Sequence, residues 1–239
     1  MGIADQQALD FYLTPEHECS YLPGHSAQTL FAAPAVRIGT NMYRELIQFG
    51  FRRSGTHVYR PLFPLCDACI PILIPVAKFR PSRSQRRNWQ RNADLEVVTV
   101  PNEYRDEHFM LYRRYMHSRH QGGGMDTPDP DKYSEFLINP YIEAVFYEFR
   151  LDNRLLGVAV VDVLDDGLSA VYTYFAPDEA ARGLGVYAVL WQVEQAKASG
   201  LQHVYLGYWI KECQKMAYKD QYSPFEIFRD GSWCEYSKK

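Results

Sequence analysis

The segment Lys78-Phe79-Arg80-Pro81-Ser82-Arg83-Ser84-Gln85-Arg86-Arg87 is the densest gathering of ligand-holding side chains in the sequence. Guanidinium groups present planar donor forks that match phosphate oxygens two at a time. Phe79 and nearby Trp89 add ring faces on which a base can stack. Together they describe a nucleic-acid contact, with Lys78, Arg80, Arg83, Arg86 and Arg87 as phosphate ligands. The ordinary alternative is a solvated charged face. No Asp or Glu occurs from residue 68 to residue 93, so nothing nearby in sequence neutralises the run. Residues 52–93 carry nine basic side chains against one acidic, a local charge of +8. The formal charge of the whole chain is −3, which leaves −11 for the remainder. That distribution excludes a uniformly basic nucleic-acid coat and is compatible with one basic face.

Three further constellations carry chemistry. Cys66-x-x-Cys69 has the spacing of half a zinc site, but a structural zinc takes four ligands and no second C-x-x-C exists. Cys19 or a histidine (His17, His25, His57) could complete a set, whereas Cys213 and Cys234 stand in no pattern. Gly183-Leu184-Gly185-Val186-Tyr187-Ala188 fits the dinucleotide pattern G-x-G-x-x-A at the start of a helix. The preceding strand belongs to a hairpin, and the next strand ends without the acidic residue a ribose needs, so the pattern reads better as helix packing. Val204-Tyr205-Leu206-Gly207-Tyr208-Trp209-Ile210 puts a glycine inside an aromatic strand, which marks a bulge or the close approach of a ligand. Trp209 itself reads as a core residue. No P-loop, H-E-x-x-H or G-x-S-x-G elbow is present.

The elements that must position these residues follow from periodicity. Residues 40–50 read as a short helix capped at Thr40 or Asn41 and stopped at Gly50. Pro61, Pro64, Pro71, Pro75 and Pro81 forbid a helix through the next region, and Ile70 to Val76 reads as an edge strand or loop. Ser82 to Asn92 is proline-free and helical. Phe109, Tyr112 and Met116 fall at helical spacing within 102–120, and Gly122-Gly123-Gly124 stops that helix. Ala144–Phe149, Leu155–Val163 and Ser169–Phe175 read as strands, the last two joined at Asp165-Asp166-Gly167. Gly183–Ser199 is an amphipathic helix, and His203–Trp209 a strand. Antiparallel strands, a helix and a strand make the second half an α+β sheet domain. A boundary near residue 100 divides the chain into 1–100 and 101–239.

The longest uninterrupted apolar run, Leu155 to Val161, is far short of the roughly 20 residues a spanning helix needs. Met1 to Asp5 has neither the basic nor the apolar part of a secretory signal. Five cysteines, an odd number, do not form a disulfide framework, and a reducing cytoplasm is the expected compartment.

Arg182-x-x-Gly185 resembles the acyl-CoA loop of N-acetyltransferases, although Tyr187 stands where that loop has a small residue. Several stretches together resemble a more specific family. They are Cys19-Ser20-Tyr21-Leu22-Pro23-Gly24, Gly50-Phe51-Arg52-Arg53-Ser54-Gly55, Tyr59-Arg60-Pro61 with Cys66-Asp67-Ala68-Cys69-Ile70-Pro71, and the Phe79–Arg87 run. Tyr112-x-x-Tyr115 with Arg119-His120, Tyr205–Ile210, Lys215–Lys219, Pro224-Phe225-Glu226 and Gly231-Ser232-Trp233 continue the match. The chain is similar to the aminoacyl-tRNA–protein transferases, in particular the short bacterial aspartate/glutamate leucyltransferases, over nearly its whole length.

The resemblance implies an acetyltransferase-like (GNAT-like) α+β fold with a smaller N-terminal cysteine-containing region packed on it. It implies transfer of leucine from leucyl-tRNA to the N-terminal amine of proteins beginning with Asp or Glu, which marks them for degradation. On this view Tyr208, Tyr218 and Lys219 orient the tRNA 3′ end or an oxyanion. Lys78, Arg80, Arg83, Arg86 and Arg87 hold tRNA, while Arg182, Tyr205, Gly207 and Lys215 contact substrate. Arginyltransferases of the family use two cysteine pairs as a cluster. Here Leu22 replaces the partner of Cys19, Leu73 stands where an arginine is expected, and Phe63 replaces a frequent cysteine or histidine. Cys19, Cys66 and Cys69 are thus candidates for a metal or cluster, with no cofactor required. The competing readings are an arginyl-tRNA donor, a CoA-dependent N-acetyltransferase and a non-enzymatic RNA-binding module.

Overall fold

The structure, a computed structural model, describes residues 9–33, 36–62, 66–119 and 129–236. The expected Gly122–Gly124 stop, His120 and Phe63 lie outside these residues. The chain opens with four short strands, β1 (Phe11–Leu13), β2 (His17–Glu18), β3 (Ser26–Ala27) and β4 (Thr29–Ala32). Helix α1 (Thr40–Gln48) ends at Phe49-Gly50 and turns into β5 (Arg52–Ser54) and β6 (His57–Pro61). Next come β7 (Ile70–Pro75), α2 (Arg83–Arg91), β8 (Glu96–Pro101), α3 (Asp106–Arg119) and α4 (Pro130–Leu137). The meander β9 (Ala144–Leu151), β10 (Arg154–Val163), β11 (Gly167–Phe175) leads through a 3-10 turn (Pro177–Arg182) to α5 (Leu184–Ala198). The chain closes with β12 (His203–Trp209), α6 (Gln214–Ala217), a 3-10 turn (Tyr218–Gln221), β13 (Glu226–Arg229) and β14 (Ser232–Glu235).

Eight strands form one mixed sheet in the order β14-β13-β7-β12-β11-β10-β9-β8, and β1-β4-β6-β5 form a smaller sheet. The main sheet is antiparallel except where β12 runs parallel to β11, on either side of the α5 crossover. Alternation sorts the side chains between two faces. Ile72, Ile74, Ala159, Val161, Val204 and Leu206 pack on α5 on one face. On the other, Val158 and Val160 meet α3 and α4, while Leu73 and Tyr205 meet α1 and the small sheet. The helix at 82–92 has the local reason its sequence requires. The Ser82 hydroxyl accepts from the Gln85 amide, and the Gln85 side chain accepts from the Ser82 amide, a reciprocal cap.

The edge strand or loop expected at Ile70–Val76 is instead an interior strand, paired with β12 on one side and β13 on the other. Its prolines are tolerated because β13 pairs only with Ile72 and Leu73, leaving Pro71 and Pro75 outside that ladder. Strand β7 and helix α2, both from the first hundred residues, thereby complete the sheet and core formed by the later ones.

Candidate functional site

The site lies where β12 leaves β11. Their pairing runs from Gly167↔His203 to Ser169↔Tyr205 and stops. Two irregularities open the gap. The register of β11 against β10 shifts between Val160 and Val161, which face Tyr172 and Ala170, so that Val171 is the extra, bulged residue of β11. The register of β12 against β7 also shifts between Tyr205 and Gly207. Gly207 has φ +82°, a left-handed conformation that costs an L-residue but not glycine.

Arg52 spans this gap from β5. Its Nη2 donates to the Ala170 carbonyl at 2.6 Å, a carbonyl that β12 has abandoned. The side chain is buried (7% exposed), and Nη1 has no hydrogen-bond partner. Gly50 makes this reach possible. At φ +80° it brings the turn against β7 so tightly that a Cβ there would stand 2.8 Å from Pro71 Cγ. Tyr208 clamps the same turn, its hydroxyl donating to the Gly50 carbonyl at 2.8 Å.

Lys219 approaches from the opposite direction, on the 3-10 turn after α6. It is buried, and its Nζ donates to the Tyr208 carbonyl at 2.6 Å. Burial, followed by the positive charge of Arg52, pushes its pKa down to about 7. A methyl-sized point above Gly207, where a Cβ would be, lies 3.5 Å from Arg52 Nε, 3.7 Å from Arg52 Nη2 and 3.7 Å from Lys219 Nζ. Among the described residues no carboxylate stands within 4.0 Å of either cation. Two cations therefore converge on one small space with no resident anion.

The other expected residues are placed as follows. Tyr205 is buried beside the gap, but its hydroxyl is occupied, donating to Asp166 and accepting from Gln48, both at 2.6 Å. Tyr218 adjoins Lys219 and is exposed; Lys215 is exposed one turn earlier. Arg182 is not brought to the gap. It pairs with Asp94 through both Nη atoms at 2.9 Å and with Glu179, and the pairing with Asp94 lowers that carboxyl's pKa. Asn88 on α2 locks the same turn by donating to the Arg182 and Gly183 carbonyls. Tyr187 is a core residue packed on Phe149 and Trp89.

Helix α2 presents Arg83, Arg86 and Arg87 to solvent, with no carboxylate within 4.0 Å among the described residues. Arg80 is exposed and donates to the Phe79 and Ala77 carbonyls. Lys78 is neutralised through space by Glu235 at 2.9 Å and Glu226 at 3.9 Å, partners invisible in the local sequence. The interleaved rings do not stack outward as expected. Phe79 is buried in the core, and Trp89 packs on Tyr187 and Trp191, which fixes α2 to α5.

Among the described residues no group of three or more His, Cys, Asp or Glu side chains is placed to hold a metal ion. Cys19 and Cys69 pack with Cys213 around Ile210, and all five cysteines are free thiols. Burial, then neighbouring Cys19, Cys66 and Cys213, pushes the Cys69 thiol up to about 12. Cys19 Sγ instead accepts from the Tyr21 and Leu22 amides at 3.5 and 3.4 Å, shaping a turn. Cys213 and, above all, Arg52 are the members of this region that reading for motifs passed over. Arg52 had a signal, a paired arginine opening a strand after a glycine turn, but nothing to separate it from Arg53.

A mixed sheet that splays beside a glycine, with a helix crossing between the parting strands, defines an acetyltransferase-like acyl-transfer fold. A solved structure of FemX shares it, with TM-score 0.53 and 9% identity over 95% of this chain and 88% of that one. The models for the N terminus and C terminus of arginine-tRNA-protein transferase match residues 17–87 and 107–229. The chain belongs to this transferase family. An aspartate/glutamate leucyltransferase of Marinobacter nauticus is 46% identical over 98% of this chain and 99% of its own length. One from Pseudomonas fluorescens is 51% identical over 94% of this chain and 96% of its own. Among the described residues no helix is long and apolar enough to cross a membrane.

Proposed function

We propose that this protein transfers leucine from leucyl-tRNA to the N-terminal amine of proteins that begin with Asp or Glu, marking them for degradation in the cytoplasm. The observation that carries this reading is the near-full-length identity to two leucyltransferases, joined to a splayed strand pair lined by Gly207 and two cations. The ester of leucyl-tRNA is already activated, so the protein has to align two substrates, remove a proton and hold charge on the carbonyl oxygen.

The acceptor amine attacks the leucyl carbonyl carbon, the C–N bond forms, and the ester C–O bond to the terminal ribose breaks. The ribose hydroxyl leaves with a proton, and the amine must lose one. Lys219 is the proposed acceptor of that proton, because its depressed pKa leaves a large neutral fraction near pH 7. Tyr208 positions Lys219 through its carbonyl and, through its hydroxyl, the Gly50 turn that leads into Arg52. Backbone groups freed around Gly207 face the reacting carbonyl. Exposed Tyr218 and Lys215 orient the tRNA 3′ end, and Arg80, Arg83, Arg86 and Arg87 hold tRNA phosphates. Residues 1–100 supply the tRNA arginines and Arg52, and residues 101–239 supply Gly207 and Lys219. No further cofactor is required.

The test is transfer of labelled leucine from charged tRNA to a peptide beginning with Glu, with labelled arginine and an Ala-initiated peptide in parallel. Leucine on the Glu peptide alone is expected. Transfer of arginine instead, or of neither, overturns the reading.

A further inference from the structure

Arg52 and Arg53 are consecutive, both buried, and electrostatically opposite. The Arg53 guanidinium meets Asp162 at 2.6 Å with both side chains fully buried. Arg52 has no carboxylate within 4.0 Å among the described residues, and its Nη1 is buried and unpartnered. Burying an unpaired cation is costly, and a protein sheds that cost when a matching anion arrives.

The direction of the open donors is defined. Nε and Nη2 form one edge of a guanidinium fork, and both lie within 3.7 Å of the methyl-sized space above Gly207. Nη2 is held by the Ala170 carbonyl, which fixes the plane, while Nε makes no hydrogen bond among the described residues.

The side of the sheet decides which anion this is. The exposed arginines of α2 lie with α5 on one face. Arg52 reaches the gap from the small sheet on the other. A phosphate backbone held by α2 therefore enters from the face opposite Arg52. The anion left for Arg52 is the one carried by the second substrate.

Resting on the leucyl-transfer reading, we propose that Arg52 is the residue that selects acidic acceptors, its Nε–Nη2 edge receiving the side-chain carboxylate of N-terminal Asp or Glu above Gly207. Lys219 Nζ borders the same space at 3.7 Å.

The experiment compares peptides beginning with Glu, Gln, Asp and Asn in wild type, Arg52→Gln and Arg52→Lys, with leucyl-tRNA binding measured separately. In Arg52→Gln, kcat/KM for the Glu peptide is expected to fall about 10–100-fold, the size of a missing charge-assisted pair, chiefly through KM. The Gln peptide should change little, so the Glu-over-Gln ratio collapses while tRNA affinity holds. Arg52→Lys keeps the charge without the fork and should retain part of the preference, which also covers failure of the Gln variant to fold. An oxyanion role would lower Glu and Gln peptides equally. That result, or an unchanged ratio, overturns the assignment. Absence of transfer by wild type overturns the leucyl-transfer reading with it.

Discussion

The turn before α5 and the gap at Gly207 lie on the same sheet and treat their cations in opposite ways. At the turn, Arg182 is surrounded by Asp94 and Glu179, and Asn88 ties down the carbonyls beside it. At the gap, Arg52 and Lys219 are buried, and among the described residues no carboxylate lies within 4.0 Å of either. The first arrangement spends the positive charge on holding the fold together. The second holds it against a desolvation cost, ready for a ligand. In an acetyltransferase the helix turn is where a CoA pyrophosphate would need free charge. Here that place is closed and the charge stands further along, at the strand splay. This is what an acyl donor without CoA requires.

Lys219 gives the largest effect by which the contrast can be broken. Lys219→Met should lower kcat about 10²–10⁴-fold, the usual contribution of a general base. It should not destabilise the protein. The folded pKa of about 7 lies below the ordinary 10.5, so between those values the unfolded chain binds more protons and stability rises with pH. Below pH 7 the whole cost of the buried cation is present. The melting temperature of Lys219→Met should therefore exceed wild type most below pH 7, and the gap should narrow toward pH 10. Wild-type kcat should rise with pH and level off above about 7 as Lys219 becomes neutral. A flat profile would remove Lys219 from the chemistry.

Arg53 should show the reverse signature. Arg53→Met leaves Asp162 buried and unpaired, at a cost of about 3–5 kcal/mol. Denaturant unfolding would measure it, and adding Asp162→Leu should recover most of the loss. If the single variant were as stable as wild type but unable to select Glu over Gln, the two arginines would have to exchange roles.

Gly207→Ala probes the space itself. Left-handed backbone costs a non-glycine residue about 1–2 kcal/mol, and the new methyl would sit among Arg52 Nε, Nη2 and Lys219 Nζ. The Glu-peptide KM should rise while tRNA affinity stays constant.

Much of this architecture was legible in sequence because periodicity is local. Strand β12 was expected at its observed bounds, and α1, α2 and α5 within a residue or two. Gly207 announced itself as a glycine in an aromatic strand. The rest depended on contacts between distant segments. Lys78 is neutralised by Glu235 and Glu226 from the end of the chain. Trp89 finds Tyr187 and Trp191 rather than a base. The interior position of β7 follows from a short β13 that spares its prolines, which no property of residues 70–75 reveals. Arg52 and Arg53 have the same composition and context, and only Asp162 separates their roles.

The smallest expected effects belong to the two surface sets of arginines, and they separate an anchor from a binding face. Arg182→Ala breaks a partly exposed network and should lower the melting temperature by about 2–4 °C. It should leave tRNA affinity unchanged, because its charge is already matched by Asp94 and Glu179. Arg83, Arg86 and Arg87 have no such partners among the described residues, so replacing all three with Ala should leave the melting temperature in place. It should weaken tRNA binding instead, flattening the salt dependence by roughly 0.7–0.9 in slope for each phosphate no longer neutralised. If the Arg182 variant failed to hold tRNA and the triple variant still held it, the nucleic acid would lie against the turn before α5 and not along the exposed arginines of α2.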